Sequence, residues 1–123
     1  MAKAVCGEGK VISVFSATSI TSGATATSEV SDLTPYGYFG VWYQASPASA
    51  ASGVRVYFEQ SYNNVSDNFS VPEGVADIAN TVNGSQPRSE SISPIPMPYI
   101  RFRGTCTNVA ASDLKLTLFL FVQ

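Results

Sequence analysis

Residues 53–74, GVRVYFEQSYNNVSDNFSVPEG, constrain the fold of this chain more than any other stretch. Val54, Val56 and Phe58 alternate with Arg55, Tyr57 and Glu59, which puts apolar side chains on one side of an extended segment and polar ones on the other. Asn63, Asn64, Ser66, Asp67 and Asn68 follow, and their short side chains bond their own backbone and tolerate left-handed conformations, so the chain reverses there. Phe69 and Val71 resume the alternation until Pro72 and Gly74 end it. The stretch predicts a strand, a turn and a second strand. A lone hairpin cannot bury its apolar face, so the pair must belong to a larger antiparallel sheet.

The same period recurs on either side. Residues 10–20 read as a strand with Val11, Ser13 and Phe15 on one face and Ile12, Val14 and Ser16 on the other. Residues 24–30 alternate small and hydroxylated side chains, a strand that another layer can approach closely, ended by Ser31 and Asp32. In residues 36–45, YGYFGVWYQA, Phe39, Val41 and Tyr43 face one way and Tyr38, Trp42 and Gln44 the other, the aromatic content of a central strand. Residues 46–52, SPASAAS, read as an exposed hairpin loop into the strand at Val54.

Residues 75–82 fit either one helical turn or a short strand, the β-branched residues and Asn83-Gly84 behind them favouring the strand, residues 86–90 read as a polar connection, and residues 91–97, SISPIPM, as an extended run that its prolines exclude from a sheet centre. Residues 99–106 set Ile100 and Phe102 against Tyr99, Arg101 and Arg103. After a turn over residues 107–112, residues 113–123, DLKLTLFLFVQ, place Leu114, Leu116, Leu118, Leu120 and Val122 opposite Lys115, Thr117, Phe119 and Phe121. Both faces are apolar at the end, so this strand is either central or covered by another subunit. About eight strands at spacings of roughly 10–15 residues predict an all-β fold, an antiparallel β-sandwich with a jelly roll as the preferred topology. One domain, residues 11–123, follows an N-terminal arm of residues 1–10.

The inventory excludes whole classes of chemistry. Histidine is absent, which removes Ser-His-Asp and Cys-His catalysis and the common zinc ligand sets, and no glycine-rich phosphate loop occurs. Glu59, Asp67, Glu73 and Asp77 are the carboxylates that a glycosidase would need near each other, but acids flanking turns are ordinary turn chemistry and none is assigned a catalytic role. Asn63, Asn64 and Asp67 lack a second carboxylate at calcium-loop spacing. The expectation is a protein without enzymatic activity, cofactor or metal. Seven Lys plus Arg against nine Asp plus Glu, a formal charge of −2, carry too little positive charge to track a phosphate backbone, so no nucleic-acid partner is expected.

Residues 114–122 are far short of the roughly 20 needed for a helix to span a bilayer, and no membrane partner is expected. Residues 1–10 lack the apolar stretch of a secretory signal, which places synthesis in a cytoplasm. Cys6 and Cys106 fit neither a zinc site nor a small disulfide scaffold, and the two thiols are expected not to be bonded to each other.

Two groupings remain as candidate surfaces. Tyr99, Arg101 and Arg103 share a face that can meet something negative, or pair with Glu59 across the sheet. Tyr36, Tyr38, Trp42 and Tyr57 have the character of a sugar-stacking platform, although core and subunit packing account for them as well. Few charges on a folded surface point to a homo-oligomer.

The stretches VRVYFEQSYNNVSDNFSVPEG and PYIRFRGTCTNVAASDLKLTLFLFVQ resemble the small β-sandwich structural proteins of tailed-bacteriophage virions, of the capsid decoration or cement type. The resemblance rests on an Asn/Asp turn after Gln60 and Ser61, an Asn-Phe strand reaching Pro72 and Gly74, and a Pro98-led strand that runs through a Thr-Asn turn into a last apolar strand. It implies a virion protein on the capsid surface, made in the host cytoplasm, that binds the major capsid protein lattice as a small oligomer, a trimer being favoured, and stabilises it. The candidate oligomer or capsid contacts are Lys3, Val5 and Lys10 in the arm, Phe119 and Phe121 in the last strand, and Tyr99, Arg101 and Arg103. The alternative is a carbohydrate-binding, receptor-binding head of a phage tail fibre or spike.

Overall fold

The computed structural model describes residues 9–21, 23–34, 36–46, 54–72, 88–92, 97–106 and 114–123. Among these residues the chain forms eight strands: β1 (Lys10–Ser19), β2 (Thr25–Thr27), β3 (Ser31–Asp32), β4 (Phe39–Ser46), β5 (Val54–Ser61), β6 (Arg88–Ile92), β7 (Tyr99–Cys106) and β8 (Lys115–Val122). One sheet has the order β1-β8-β4-β6. In the other, β7 is central, with β5 along one edge and β2 and β3 along the opposite edge. Every pairing is antiparallel.

The pairs are nested. β1 lies on β8, β2 and β3 on β7, β4 on β6, and Gln60 of β5 exchanges backbone bonds of 2.9 and 3.0 Å with Ser70. The chain is thus one long antiparallel ribbon whose tip is the Asn-rich turn, closed by a 3-10 turn at Ser66–Asn68. Folding that ribbon over itself places β4 beside β8 and β5 beside β7, which is the jelly roll that the strand count predicts.

The core lies between the sheets. Leu114, Leu116, Leu118, Leu120 and Val122 face Val54, Val56, Phe58, Ile100, Phe102 and Cys106, and all are buried. Burying each of these Leu side chains is worth about 1.5–3 kcal/mol, so β8 alone supplies a large part of the driving force. Phe58 and Phe102 meet with ring centroids 6.3 Å apart and planes tilted by 53°. Gly104 sits in the same layer, where a Cβ would come 2.7 Å from Leu116 Cδ2, so Leu116 of the facing sheet takes the space that a side chain on β7 would need.

Several expectations need correction. The alternation in β1 is broken by two bulges, between Ser13 and Phe15 and between Phe15 and Thr18, each inserting one residue against β8. Ile12 opposite Leu120 and Phe15 opposite Leu118 therefore share the inner face, and Ala17 takes a positive φ of 47° with its amide donating to Thr117 Oγ1 at 3.1 Å. Bulges on an edge strand also spoil its pairing with other chains.

Ser31 and Asp32 do not end a strand but resume pairing with β7 after a break. β4 and β5 belong to different sheets and are not the two arms of a hairpin. Arg88 to Glu90 belong to edge strand β6, and the second arm of the 53–74 hairpin reduces to the single bridge at Ser70. The strand expected at residues 75–82, the turn at 107–112 and most of the arm lie outside the described residues. Cys106 is buried at the end of β7, and Cys6 also lies outside them.

Candidate functional site

The sandwich has two outer faces, and the sequence-derived candidates divide between them. Tyr99, Arg101 and Arg103 stand on the outer face of β7, where the register sets Arg101 opposite Glu59 and Arg103 opposite Tyr57. Glu59 Oε1 accepts from Arg101 Nε at 2.7 Å and Glu59 Oε2 from Arg103 Nη1 at 3.4 Å. The turn folds over this end of the sheet: Arg101 Nη1 donates to Ser66 Oγ at 3.3 Å, and the Arg101 guanidinium lies 4.5 Å from the Phe69 ring centroid. Glu59, expected on a wet face, is in fact 8% exposed. Arg55 covers the Tyr57 ring at 4.4 Å. This face is charged, cross-paired and largely closed by its own chain.

The outer face of the other sheet is built differently. Antiparallel register aligns outward-pointing residues in rows across the strands. One row runs Val11, Phe121, Gly40 and position 91; the next runs Ser13, Phe119, Trp42 and Ser89. Val11 is 63% exposed and Phe121 42%, both high for apolar side chains on a sheet. Trp42 and Phe119 are half-buried, with ring centroids 5.7 Å apart and planes tilted by 43°. Neither row contains a charged residue, and Lys115 stands at the opposite end of β8.

Gly40 leaves a dip in the middle of this surface. Val11, Val41, Trp42, Ser89, Phe119 and Phe121 surround it, enclosing an open depression of about 590 Å³. Gly9, at the margin, accommodates the Phe121 ring, since a Cβ there would stand 2.7 Å from Cζ. The only hydroxyl lining the depression among the described residues is that of Ser89.

Phe119 and Phe121 are therefore together, and Tyr99, Arg101 and Arg103 are together, but on opposite sides of the molecule. Lys10 is exposed where β1 begins, opposite Val122; Lys3 and Val5 lie outside the described residues. The four aromatics read as one platform are dispersed: Tyr36 packs against the core, Tyr38 is exposed, Tyr57 lies beneath Arg55, and Trp42 alone joins the aromatic rows. Gly40, Val11 and Ser89 went unnoticed at the sequence level because only cross-strand register brings them beside Phe121 and Trp42. Of the candidate carboxylates, Glu59 is committed to two arginines, Asp67 is exposed in the 3-10 turn, and Glu73 and Asp77 lie outside the described residues. Among the described residues no cluster of three or more Cys, Asp or Glu is placed to hold a metal ion.

No protein-family model matches the sequence, and no curated protein matches it either. Solved structures are similar in shape. The K2 cleaved adhesin domain of Lys-gingipain superposes with a TM-score of 0.51 over 86% of this chain and 69% of its own, at 17% identity. A carbohydrate-binding module, CBM36, in complex with calcium and xylotriose gives 0.45 over 94% and 91%, at 10% identity. A structure of infectious bursal disease virus, Gx strain, gives 0.47 over 95% of this chain and 32% of that one, at 13% identity. Likeness at this level of identity shows the fold alone, an antiparallel β-sandwich.

Proposed function

We propose that this chain is a non-enzymatic structural protein of a virion, of the capsid decoration type, that works by protein–protein assembly with the outer face of the β1-β8-β4-β6 sheet as its assembly surface. The observation that carries this reading is the pair of uncharged rows in which Val11, Phe121, Phe119 and Trp42 surround the dip at Gly40. Apolar and aromatic area of this kind is what the centre of a protein interface is made of. A sugar ring stacks on aromatics too, but its hydroxyls require fixed donors and acceptors, and among the described residues Ser89 is the one hydroxyl lining the depression. The composition favours a protein partner over a glycan.

The setting comes from the resemblance of residues 54–74 and 98–123 to small virion β-sandwiches. A decoration protein that binds only the assembled lattice stabilises it by mass action, and an oligomer that presents several copies gains avidity without new contacts. The test is co-sedimentation with capsids stripped of this protein, alongside a glycan array. Wild type should pellet with capsids, Phe121→Ser should be retained less well, and the array should be blank. Glycan binding that is abolished by Trp42→Ala, with no capsid association, would defeat the reading.

A further inference from the structure

We infer that the aromatic face is occupied by the same face of a second copy, about a twofold axis that runs along the strands between β8 and β4. The inference rests on reading this face as a protein interface, and it names the partner.

Register makes this face complementary to itself. In a twofold contact a patch meets itself, so its knobs must be met by holes or by faces that can pack on them within the same patch. Phe121 and Gly40 are Cα partners, as are Phe119 and Trp42. An axis midway between β8 and β4, parallel to both, lays β8 of one copy over β4 of the other without shifting the rows. Phe121, the exposed ring, then faces the dip at Gly40 of the second copy, and the reciprocal contact forms by symmetry. In the neighbouring row Phe119 faces Trp42, an aromatic pair made twice.

Charge favours the same partner. Like charges across an isologous interface repel, and a patch bearing a net charge would meet its own sign. The two rows contain no charged residue, and the axis sets Lys115 opposite Ser46 of the second copy, because these two are Cα partners in the register. The outer face around Arg101 and Arg103 lacks this property. Two such sheets stack about 10 Å apart, the spacing at which side chains from facing sheets interdigitate.

Light scattering at micromolar concentration should give twice the chain mass of 13.0 kDa for the wild type. Gly40→Leu, which fills the hole, and Phe121→Ser, which removes the knob, should each weaken dimerisation roughly tenfold or more while circular dichroism melts stay near that of the wild type. Gly40 has no positive φ, so a side chain there is compatible with the backbone. The axis also sets Ser13 opposite Ser89 of the second copy, both exposed. A short bismaleimide should therefore join chains in a mixture of Ser13→Cys and Ser89→Cys proteins more than in either alone.

A monomeric or trimeric wild type, a dimer undiminished in both variants, or equal cross-linking of the unmixed proteins would each overturn the twofold contact. Capsid sedimentation is read separately. A dimer that ignores capsids and binds a glycan defeats the decoration reading and leaves this contact standing, and a monomer that binds capsids through Phe121 does the reverse.

Discussion

The two outer faces of this sandwich are made by the same kind of strand, yet among the described residues one is partly covered by its own chain and the other presents an exposed ring. On the β5-β7 face, Glu59 lies between Arg101 and Arg103, and Ser66 and Phe69 fold down onto Arg101. On the β8-β4 face, Phe121 and Val11 stand exposed around the dip at Gly40. The charged surface is thus the closed one and the aromatic surface the open one. Opposite charges on neighbouring strands find each other across a few ångströms, whereas Phe121 keeps much of its ring exposed beside the small residues Gly9 and Gly40. A charged stripe in a sequence is accordingly a poor guide to a binding face when an acid sits on the adjoining strand.

The largest expected effect tests whether the two faces share one core. Leu118 is fully buried between Phe15 and Tyr43 in the register, and Leu118→Ala should cost about 3 kcal/mol in urea unfolding. A single cooperative transition seen by both Trp42 fluorescence and circular dichroism is expected. Separate transitions would mean that the sheets unfold independently and that their faces belong to different units.

Glu59→Gln should come next, because it leaves Arg101 and Arg103 without a counter-charge on a face where the pair is mostly shielded from water. We expect a loss of roughly 1.5–2 kcal/mol in the same assay with no change in association state. A change in oligomer mass without loss of stability would invert the assignment of the two faces.

Phe121→Ser is the mirror experiment. Its folding stability should change by less than that of Leu118→Ala, since the ring is 42% exposed and not part of the core, while its self-association falls. Together the two variants form a cross-over: stability lost on one face, assembly lost on the other.

The smallest effect is titration of Asp32 in β3. The Thr34 hydroxyl and then the Thr34 amide donate to Asp32 Oδ1, at 2.6 and 2.9 Å, and hold its carboxyl below the usual 3.8. A carboxyl with a lowered value in the folded state contributes stability above the unfolded value, and that contribution is lost as pH falls from 3.8 through the folded value. The stability difference between wild type and Asp32→Asn should therefore shrink over that acidic window. A difference that stays constant down to the most acidic pH would show that the Thr34 bonds are not charge-dependent.

Much of the fold was legible in the sequence because period-2 alternation is a local property. Val54, Val56 and Phe58, the run from Leu114 to Val122, and the Ile100 and Phe102 pair announce their strands and their inner faces without reference to anything else in the chain. Pairing of Glu59 with the arginines was likewise among the readings that residue type allowed. β6 was missed because Arg88, Ser89 and Glu90 are polar, as an edge strand permits, and the two slips in β1 were missed because a bulge adds a residue without changing composition.

What residue order determined by itself is therefore the strands around Val54, Ile100 and Leu116 with their inner faces, a turn at the ribbon tip and an inventory without histidine. Tertiary structure alone decided which strands lie side by side: it set Phe121 beside Gly40, Phe119 beside Trp42 and Glu59 beside Arg101, and it laid Phe69 on Arg101 while leaving Phe121 and Val11 exposed. The reason is physical. Alternation records how one strand divides between core and exterior, but a surface is shared among strands far apart in sequence, and only their register says what each side chain meets.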